Sequence, residues 1–131
     1  MVAPARHLLV DTHILVWALA VPGRLSAAER RALDMADVIF VSIVTLWEAA
    51  ILMSLGRLER EERLIEPQEG FTLLPVTPRH CRELMDLPRR HRDPFDRMLI
   101  AQARADGLTL LTRDTAIAGY GEAGAATLVL G

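Results

Sequence analysis

The sequence contains no lysine, since all fifteen of its basic residues are arginine. This absence excludes a P-loop nucleotide site, a Schiff-base lysine and a lysine general base. The single cysteine, Cys81, can form neither an internal disulfide nor a cysteine zinc site, and we expect it to be a small packing residue. The formal net charge is only −2, so a polyanionic ligand would have to be held by a local group of charges.

Long uncharged runs are also scarce, although 51% of the residues are hydrophobic. The longest candidate, residues 38–56, carries Glu48 as its only charge, and a membrane-spanning helix would place that charge near mid-bilayer at high cost. We therefore interpret it as a buried strand followed by a buried helix. No small-residue cleavage pattern follows the N-terminus, so we predict no signal peptide, a cytoplasmic location and no membrane partner.

The alternation of short apolar runs and helical patterns predicts the fold class. At 131 residues the chain has the length of one domain, and we expect a single domain over residues 1–131. Strands are predicted at 7–10, 38–41, 71–74, 108–112 and 127–130. Because helical segments separate them, the expected fold is α/β, with a central, mainly parallel sheet flanked by helices on both faces.

Capping residues predict where the helices begin and end. Helix starts are predicted at Ser26 and Thr45, which both open capping-box patterns, and at Thr77 and Asp93, which both precede a proline. The left-handed cap position that favours glycine is predicted at Gly56 and Gly107.

Two aspartates follow apolar strands directly. Asp11 is the only acidic residue among the first 28 and comes at the end of the first strand. Asp114 follows the strand at 108–112. The carboxyl ends of strands in an open α/β sheet form the ligand crevice, so we expect both carboxylates at that edge.

Two further acidic side chains lie on helix faces that are predicted to point inward. Glu48 shares its stripe with Ile51, Leu52 and Leu55. Asp96 shares its stripe with Ile100 and Ala103, whereas Arg97 and Arg104 are assigned to the solvent face of the same helix. Burying an unpaired carboxylate costs several kcal/mol in real proteins, so both positions indicate a function.

Each acidic residue also has a structural alternative. Asp93 can be a plain N-cap, Asp96 can complement the helix dipole, Glu48 can complete a capping box with Thr45, and Asp114 can be a turn residue. Together, however, a cluster of like charges is stable at neutral pH chiefly when divalent cations neutralise it. Oxygen ligands select hard cations, which predicts Mg²⁺ or Mn²⁺ before zinc.

Four motifs make the sequence resemble the PIN-domain nucleases, and in particular the VapC-type toxins of bacterial toxin–antitoxin pairs. The motifs are LLVDTH at 8–13, SIVTLWEA at 42–49, HRDPFDRMLIAQA at 91–103 and LTRD at 111–114. The third is long and specific, and together they span almost the whole chain. The resemblance implies a three-layer fold, endonucleolytic RNA cleavage with a divalent metal, inhibition by a cognate antitoxin, and a homodimer.

Carried over by position, the resemblance assigns the acidic set as Asp11, Glu48, Asp96 and Asp114, with Thr112 as a polar neighbour. Asp93 belongs to the extended motif of a subgroup and is a candidate fifth metal ligand, with its role left open. We expect Asp11 and Asp96 to ligate metal directly, and Glu48 and Asp114 to act through water or as the base. His13 and His91 are not predicted ligands, because no second histidine has ligand spacing.

Two surfaces are predicted to bind partners. Arg89, Arg90, Arg92 and Arg97 can form a phosphate-binding edge for RNA, or a solvated loop. An apolar face around Trp17, Trp47 and Leu52 would suit the hydrophobic helix of an antitoxin, with core packing as the alternative.

Three rival functions fit the sequence less well. A haloacid-dehalogenase phosphatase requires a second aspartate where this chain has His13, and also a lysine. A receiver domain also requires a lysine, so the absence of lysine argues against this function as well. The stronger rival is a catalytically inactive PIN fold that serves as a protein- or RNA-interaction module, and the presence of all four acidic residues argues against it.

Overall fold

Five parallel strands form the central sheet. The structure of the protein, a computed structural model, describes residues 7–66, 69–88 and 93–114 and the backbone of 126–129. The strands are β1 (His7–Val10), β2 (Val38–Ser42), β3 (Thr72–Leu74), β4 (Thr109–Thr112) and β5 (Ala126–Val129). Their order is β3-β2-β1-β4-β5, and every neighbouring pair is parallel. The predicted α/β class is confirmed, with strand ends within one residue of the predicted ones.

In the described part of the chain, five α-helices connect or flank the strands. They are α1 (Thr12–Ala20), α2 (Ala27–Met35), α3 (Ile43–Ser54), α4 (Pro78–Asp86) and α5 (Pro94–Asp106). The predicted caps at Ser26, Thr77 and Asp93 all accept backbone N–H groups. Gly56 and Gly107 adopt the left-handed conformation, with φ of 71° and 67°. Within the described residues, none of the helices has the length and apolar character needed to cross a membrane.

The start of α3 differs from the prediction. The helix begins at Ile43, and its N-cap is Ser42, whose Oγ accepts the Val44 N–H at 3.0 Å. Ser42 also ends β2, so a hydroxyl is available as soon as the strand stops, and the helix needs no later cap. Thr45 is therefore buried inside the helix rather than opening it. The predicted capping box of Thr45 and Glu48 is wrong.

The prediction that one stripe of α3 faces the core is wrong at the C-terminal end of the helix. The buried residues of α3 are Val44, Thr45 and Ala49. Leu55, predicted to share the stripe of Glu48, follows the last helical turn and is 63% exposed. Glu48 is half-buried at the edge of the core rather than facing its centre.

The sheet separates two hydrophobic clusters. Leu9 of β1 and Leu110 of β4 pack with α5 on one face, whereas Leu8 of β1 and Leu111 of β4 pack with α1 on the other. All four leucines are fully buried. This alternation is the period-two pattern of strands that are covered on both faces. The result is the predicted three-layer arrangement.

Three side chains on α4 and α5 lie elsewhere than predicted. Cys81 is exposed on α4 and is not a packing residue. Arg97 and Arg104 face α4 rather than solvent: Arg97 Nη1 donates to the Pro88 carbonyl at 2.9 Å, and Arg104 Nε lies 3.5 Å from a Glu83 oxygen. The reason is that α5 packs along α4 and covers the face that we expected to meet solvent.

The chain reverses direction across the sheet beside β1. From β1 it proceeds outward to β2 and β3, and it then crosses to β4 and β5 on the other side of β1. Ligands of open α/β sheets bind beyond the carboxyl ends of the strands at such a reversal. At that edge β1 leads into Asp11 and β4 leads into Asp114, and α1, α3 and α5 begin there.

Candidate metal centre

A cleft of about 200 Å³ lies at this edge of the sheet. It is lined by Asp11, Thr12, His13, Glu48, Asp93, Asp96 and Asp114. The structure therefore brings together all five acidic residues that the sequence singled out, from positions up to 103 residues apart in the chain. Among the described residues, the lining includes neither arginine nor lysine.

Asp11 occupies the centre of the sheet edge. It is 5% exposed, and its two carboxylate oxygens have different partners. Oδ1 accepts the Ile14 N–H at 2.9 Å as the N-cap of α1, and Oδ2 accepts the Thr112 hydroxyl at 2.5 Å. The carboxylate is thus fixed from both sides, by the helix that follows β1 and by the end of β4.

Glu48 reaches the cleft from the second turn of α3. Its Oε1 accepts a short hydrogen bond from Thr12 Oγ1. Thr12 directly follows Asp11 and begins α1. Asp11 therefore supplies one carboxylate of the cleft, and the next residue in the chain orients another, that of Glu48. This contact explains why a half-buried glutamate points to the cleft from a largely apolar helix.

Asp93 and Asp96 enter the cleft from the first turn of α5. Asp93 is the N-cap, and its Oδ1 accepts the backbone N–H groups of Phe95 at 2.8 Å and Asp96 at 3.2 Å. The capping alternative for Asp93 is therefore correct, and the same residue also lines the cleft. Asp96 is half-buried, and the positive end of the α5 dipole favours both negative charges.

Asp114 is placed by the end of β4. Its backbone N–H donates to Thr112 Oγ1 at 3.0 Å, while the same hydroxyl donates to Asp11. Thr112 is fully buried. One threonine hydroxyl therefore holds two of the acidic positions in register.

Burial raises the pKa of Asp11 above its usual range, and the nearby charge of Asp114 adds to this, although hydrogen bonds from Thr112 and Ile14 oppose it. Burial also raises the pKa of Glu48, helped by the charges of Asp93 and Asp11 and opposed by the Thr12 hydrogen bond. His13 favours the ionised form of both carboxylates. Burial, and to a smaller extent the proximity of like charges, therefore penalises ionisation of Asp11 and Glu48.

The donor set fits a hard divalent cation. Five carboxylates supply oxygen ligands only, and no cysteine lines the cleft among the described residues. A divalent cation would also offset the two effects that raise the pKa of Asp11 and of Glu48, first the burial of the carboxylates and then the charges around them. The carboxylates surround the cleft without meeting at one point, since no three Asp, Glu, His or Cys side chains in the described residues form a ready metal cluster.

The predicted RNA-binding arginines are only partly described. Arg89, Arg90 and Arg92, together with His91, lie outside the described residues. Arg97 is described, and its guanidinium donates to the carbonyl of Leu84 in the last turn of α4 and to that of Pro88 just after this helix.

The predicted antitoxin face is not one continuous surface. Trp17 is half-buried and packs against the core on the α1 side of the sheet. Leu52 is also half-buried. Trp47 is 62% exposed and lies edge-to-face with Phe95. Core packing is therefore correct for Trp17, whereas Trp47 borders an apolar groove with α5.

Three features of the site were missed by sequence reasoning. The sequence predicts no role for Thr12 beyond the first motif and predicts only that His13 is not a metal ligand, although both residues line the cleft. The pairing of Glu29 with Arg113 was missed because 84 residues separate them. For Thr12 a signal existed, since a hydroxyl directly after a strand-end aspartate is well placed to bond a neighbouring carboxylate.

Comparison with known proteins supplies the family. The PIN domain profile matches residues 8–123. Ribonuclease VapC22 of Mycobacterium tuberculosis is 30% identical over 111 residues, which cover 81% of this chain and 85% of that protein. A chain of VapBC2 from Rickettsia felis superposes with a TM-score of 0.66 at 13% identity, and the match covers 92% of this chain and 96% of that one. That structure was solved with VapBC2 bound to a DNA fragment from its promoter. A toxin–antitoxin complex from Klebsiella pneumoniae superposes with a TM-score of 0.57 at 19% identity, and the match covers 82% of this chain and 87% of that one. With its profile match over most of its length and a curated relative at this identity, the chain belongs to the PIN-domain family.

Proposed function

We propose that the chain is a Mg²⁺- or Mn²⁺-dependent endoribonuclease and the toxin of a type II toxin–antitoxin pair. The observation that carries the proposal is the convergence of five carboxylates in one cleft at the point where strand order reverses. Burying like charges together is costly without a function that uses them. The similarity to Ribonuclease VapC22 supports RNA as the substrate.

The cation would be held by the carboxylates of the cleft. Asp11 and Asp96 are the proposed direct ligands, because Asp11 is fixed by two hydrogen bonds and Asp96 lines the same cleft from the start of α5. When bound, a divalent cation activates water and neutralises charge on the phosphate oxygens. Asp93 is chiefly a cap in this account, and it adds negative charge to the same wall of the cleft.

The remaining carboxylates would handle the water and its proton. Glu48 and Asp114 lie on different elements around the cleft, each oriented by a threonine. We propose that one of them orients the attacking water and accepts its proton during in-line hydrolysis of the phosphodiester. His13, exposed at the rim, would favour an approaching phosphate when it is protonated.

A protein antitoxin is the proposed partner. VapBC2 and the Klebsiella pneumoniae complex have the same fold, and the second is a toxin–antitoxin complex. The chain also presents an apolar groove beside the cleft, with Trp47 as its most exposed aromatic residue. We also propose that the chain forms a homodimer and is located in the cytoplasm.

Cleavage of RNA by the purified chain tests the function. We expect shortened products with Mn²⁺ or Mg²⁺, none with a chelator, and none from Asp11→Asn, which keeps the size and capping oxygen of Asp11. A PIN fold that had become an interaction module would slow the migration of RNA without shortening it, and that result would contradict the proposal.

A further inference from the structure

A second carboxylate is buried outside the cleft. Glu29, in the first turn of α2, is fully buried, and both of its oxygens contact one arginine. Arg113 Nε donates to Oε2 at 2.7 Å and Nη2 donates to Oε1 at 2.5 Å. This is the two-pronged geometry in which a guanidinium matches a carboxylate. The same Oε1 accepts the Ser26 N–H at 2.7 Å, so the carboxylate is also tied to the start of its own helix.

Arg113 is held by more than this ion pair. Its Nη2 also donates to the Arg24 carbonyl at 2.5 Å. Its guanidinium carbon lies 4.2 Å from the centre of the Trp17 ring, a cation–π distance. Side chains or backbone from α1, from the turn after it and from α2 therefore converge on one guanidinium.

This anchored residue stands between Thr112 and Asp114. Thr112 is the last residue of β4, and its hydroxyl accepts the Asp114 N–H. The segment that leaves the sheet is thus fixed on one side by the strand and on the other by the Arg113 side chain. Asp114 is the next residue, and it lines the cleft.

We propose that Glu29 and Arg113 are positioning residues that set the place of Asp114 in the cleft. The inference rests on the proposed function, because it gives Asp114 a role at the metal. A buried ion pair by itself is weak support for stability, since the cost of desolvation offsets the attraction. Its geometric precision is better suited to orienting a neighbouring ligand, as the hydrogen-bond partners of metal ligands do.

The test uses Glu29→Gln, Arg113→Lys and Arg113→Ala in the full chain. Glu29→Gln keeps the oxygen that caps α2 but removes the charge, and Arg113→Lys keeps the charge but removes the fork. The matched control is Arg60→Ala, because Arg60 pairs with Glu62 in the open, at 81% and 62% side-chain exposure. Three quantities are measured well below the melting temperature: the Mn²⁺ concentration at the midpoint of a calorimetric binding titration, and kcat and KM for RNA.

We expect Glu29→Gln and Arg113→Ala to need roughly 10- to 100-fold more Mn²⁺, and to lose kcat by a similar factor with little change in KM. Arg113→Lys should lie between Arg113→Ala and the wild type, and Arg60→Ala should match the wild type. The double variant Glu29→Gln/Arg113→Ala should lose no more than the worse single variant, because both act through one contact.

Variants with a lower melting temperature but the wild-type Mn²⁺ midpoint and kcat would overturn the proposal. The Glu29–Arg113 pair would then only stabilise the packing of α2 against the end of β4. A wild type that binds Mn²⁺ but does not cleave RNA would contradict the proposed function alone, and the Mn²⁺ midpoints would still decide the role of Glu29 and Arg113.

Discussion

The Thr112 hydroxyl lies 2.5 Å from Oδ2 of Asp11 and joins the ends of two neighbouring strands. The Thr112 hydroxyl oxygen also accepts the Asp114 N–H, so one hydroxyl connects two carboxylate positions. The buried carboxylate of Asp11 would lose this partner if the hydroxyl were removed.

Thr112→Val keeps the shape of the side chain and removes only this hydroxyl. We expect activity to fall roughly 10- to 100-fold and stability to fall by about 1–3 kcal/mol, because a buried acceptor is left without its donor. Thr112→Ser restores the hydroxyl and should recover most of both. Full activity in Thr112→Val, measured as the initial rate of RNA cleavage, would show that the contact does not matter.

The raised pKa of Asp11 predicts how stability depends on pH. The folded protein holds this proton more tightly than the unfolded chain, whose Asp pKa is near 3.8. The contribution of the protonated group to stability is therefore present below that pH and is lost as the pH rises through the folded pKa. Asp11→Asn cannot ionise, so it should gain stability relative to the wild type as the pH rises.

Urea unfolding of both metal-free proteins at a series of pH values measures this difference. The lowered pKa of Glu29 acts in the opposite direction: burial raises it, but the hydrogen bonds and charge of Arg113 outweigh burial, so its stabilisation is lost as the pH falls. Because Glu29 is common to both proteins, its effect cancels in the comparison. A stability difference that does not change with pH would refute the prediction.

The basic segment before α5 is expected to bind phosphate. Replacing Arg89, Arg90 and Arg92 with alanine should weaken RNA binding and flatten the dependence of the binding constant on salt. A triple variant of exposed arginines elsewhere, Arg31, Arg57 and Arg60, controls for the change in net charge. Equal salt slopes for the two triple variants would assign the segment to a solvated loop. Filter binding over a range of salt concentrations gives these slopes.

Expression in cells tests the toxin assignment. The chain alone should slow growth, and coexpression of the small protein encoded beside it should restore growth. Asp11→Asn at the same level should leave growth unaffected. Normal growth with confirmed, folded wild-type protein would count against a toxin.

The parts of the fold that are set by local chemistry could be predicted from the sequence. Apolar runs gave the strands to within a residue, and the capping hydroxyls and carboxylates of Ser26, Thr77 and Asp93 marked three helix starts. Asp11 could be placed because a charge at the end of an apolar strand has few stable locations.

The parts set by contacts between distant segments could not be predicted. Both Ser42 and Thr45 have side chains that can cap α3. Ser42 is the N-cap because β2 ends there, and the end of β2 depends on its pairing with other strands. The pattern of α5 alone predicts that Arg97 faces solvent, because it contains no information on the packing of α4 against that face. The threonine hydrogen bonds and the Glu29–Arg113 pair join residues 36 to 101 positions apart, which no local pattern reveals.

The most direct test of the metal site is a thermal melt of the wild type and of Asp96→Asn, each with and without Mn²⁺. If the cleft stores repulsion among its carboxylates, the metal-free variant should be as stable as the wild type or more stable. The wild type should gain roughly 2.7 kcal/mol at a hundredfold excess of Mn²⁺ over its dissociation constant, and the variant should gain much less. If instead Asp96→Asn loses several kcal/mol without metal and keeps the full Mn²⁺ shift, Asp96 only stabilises the start of α5, and the cleft does not bind metal as described.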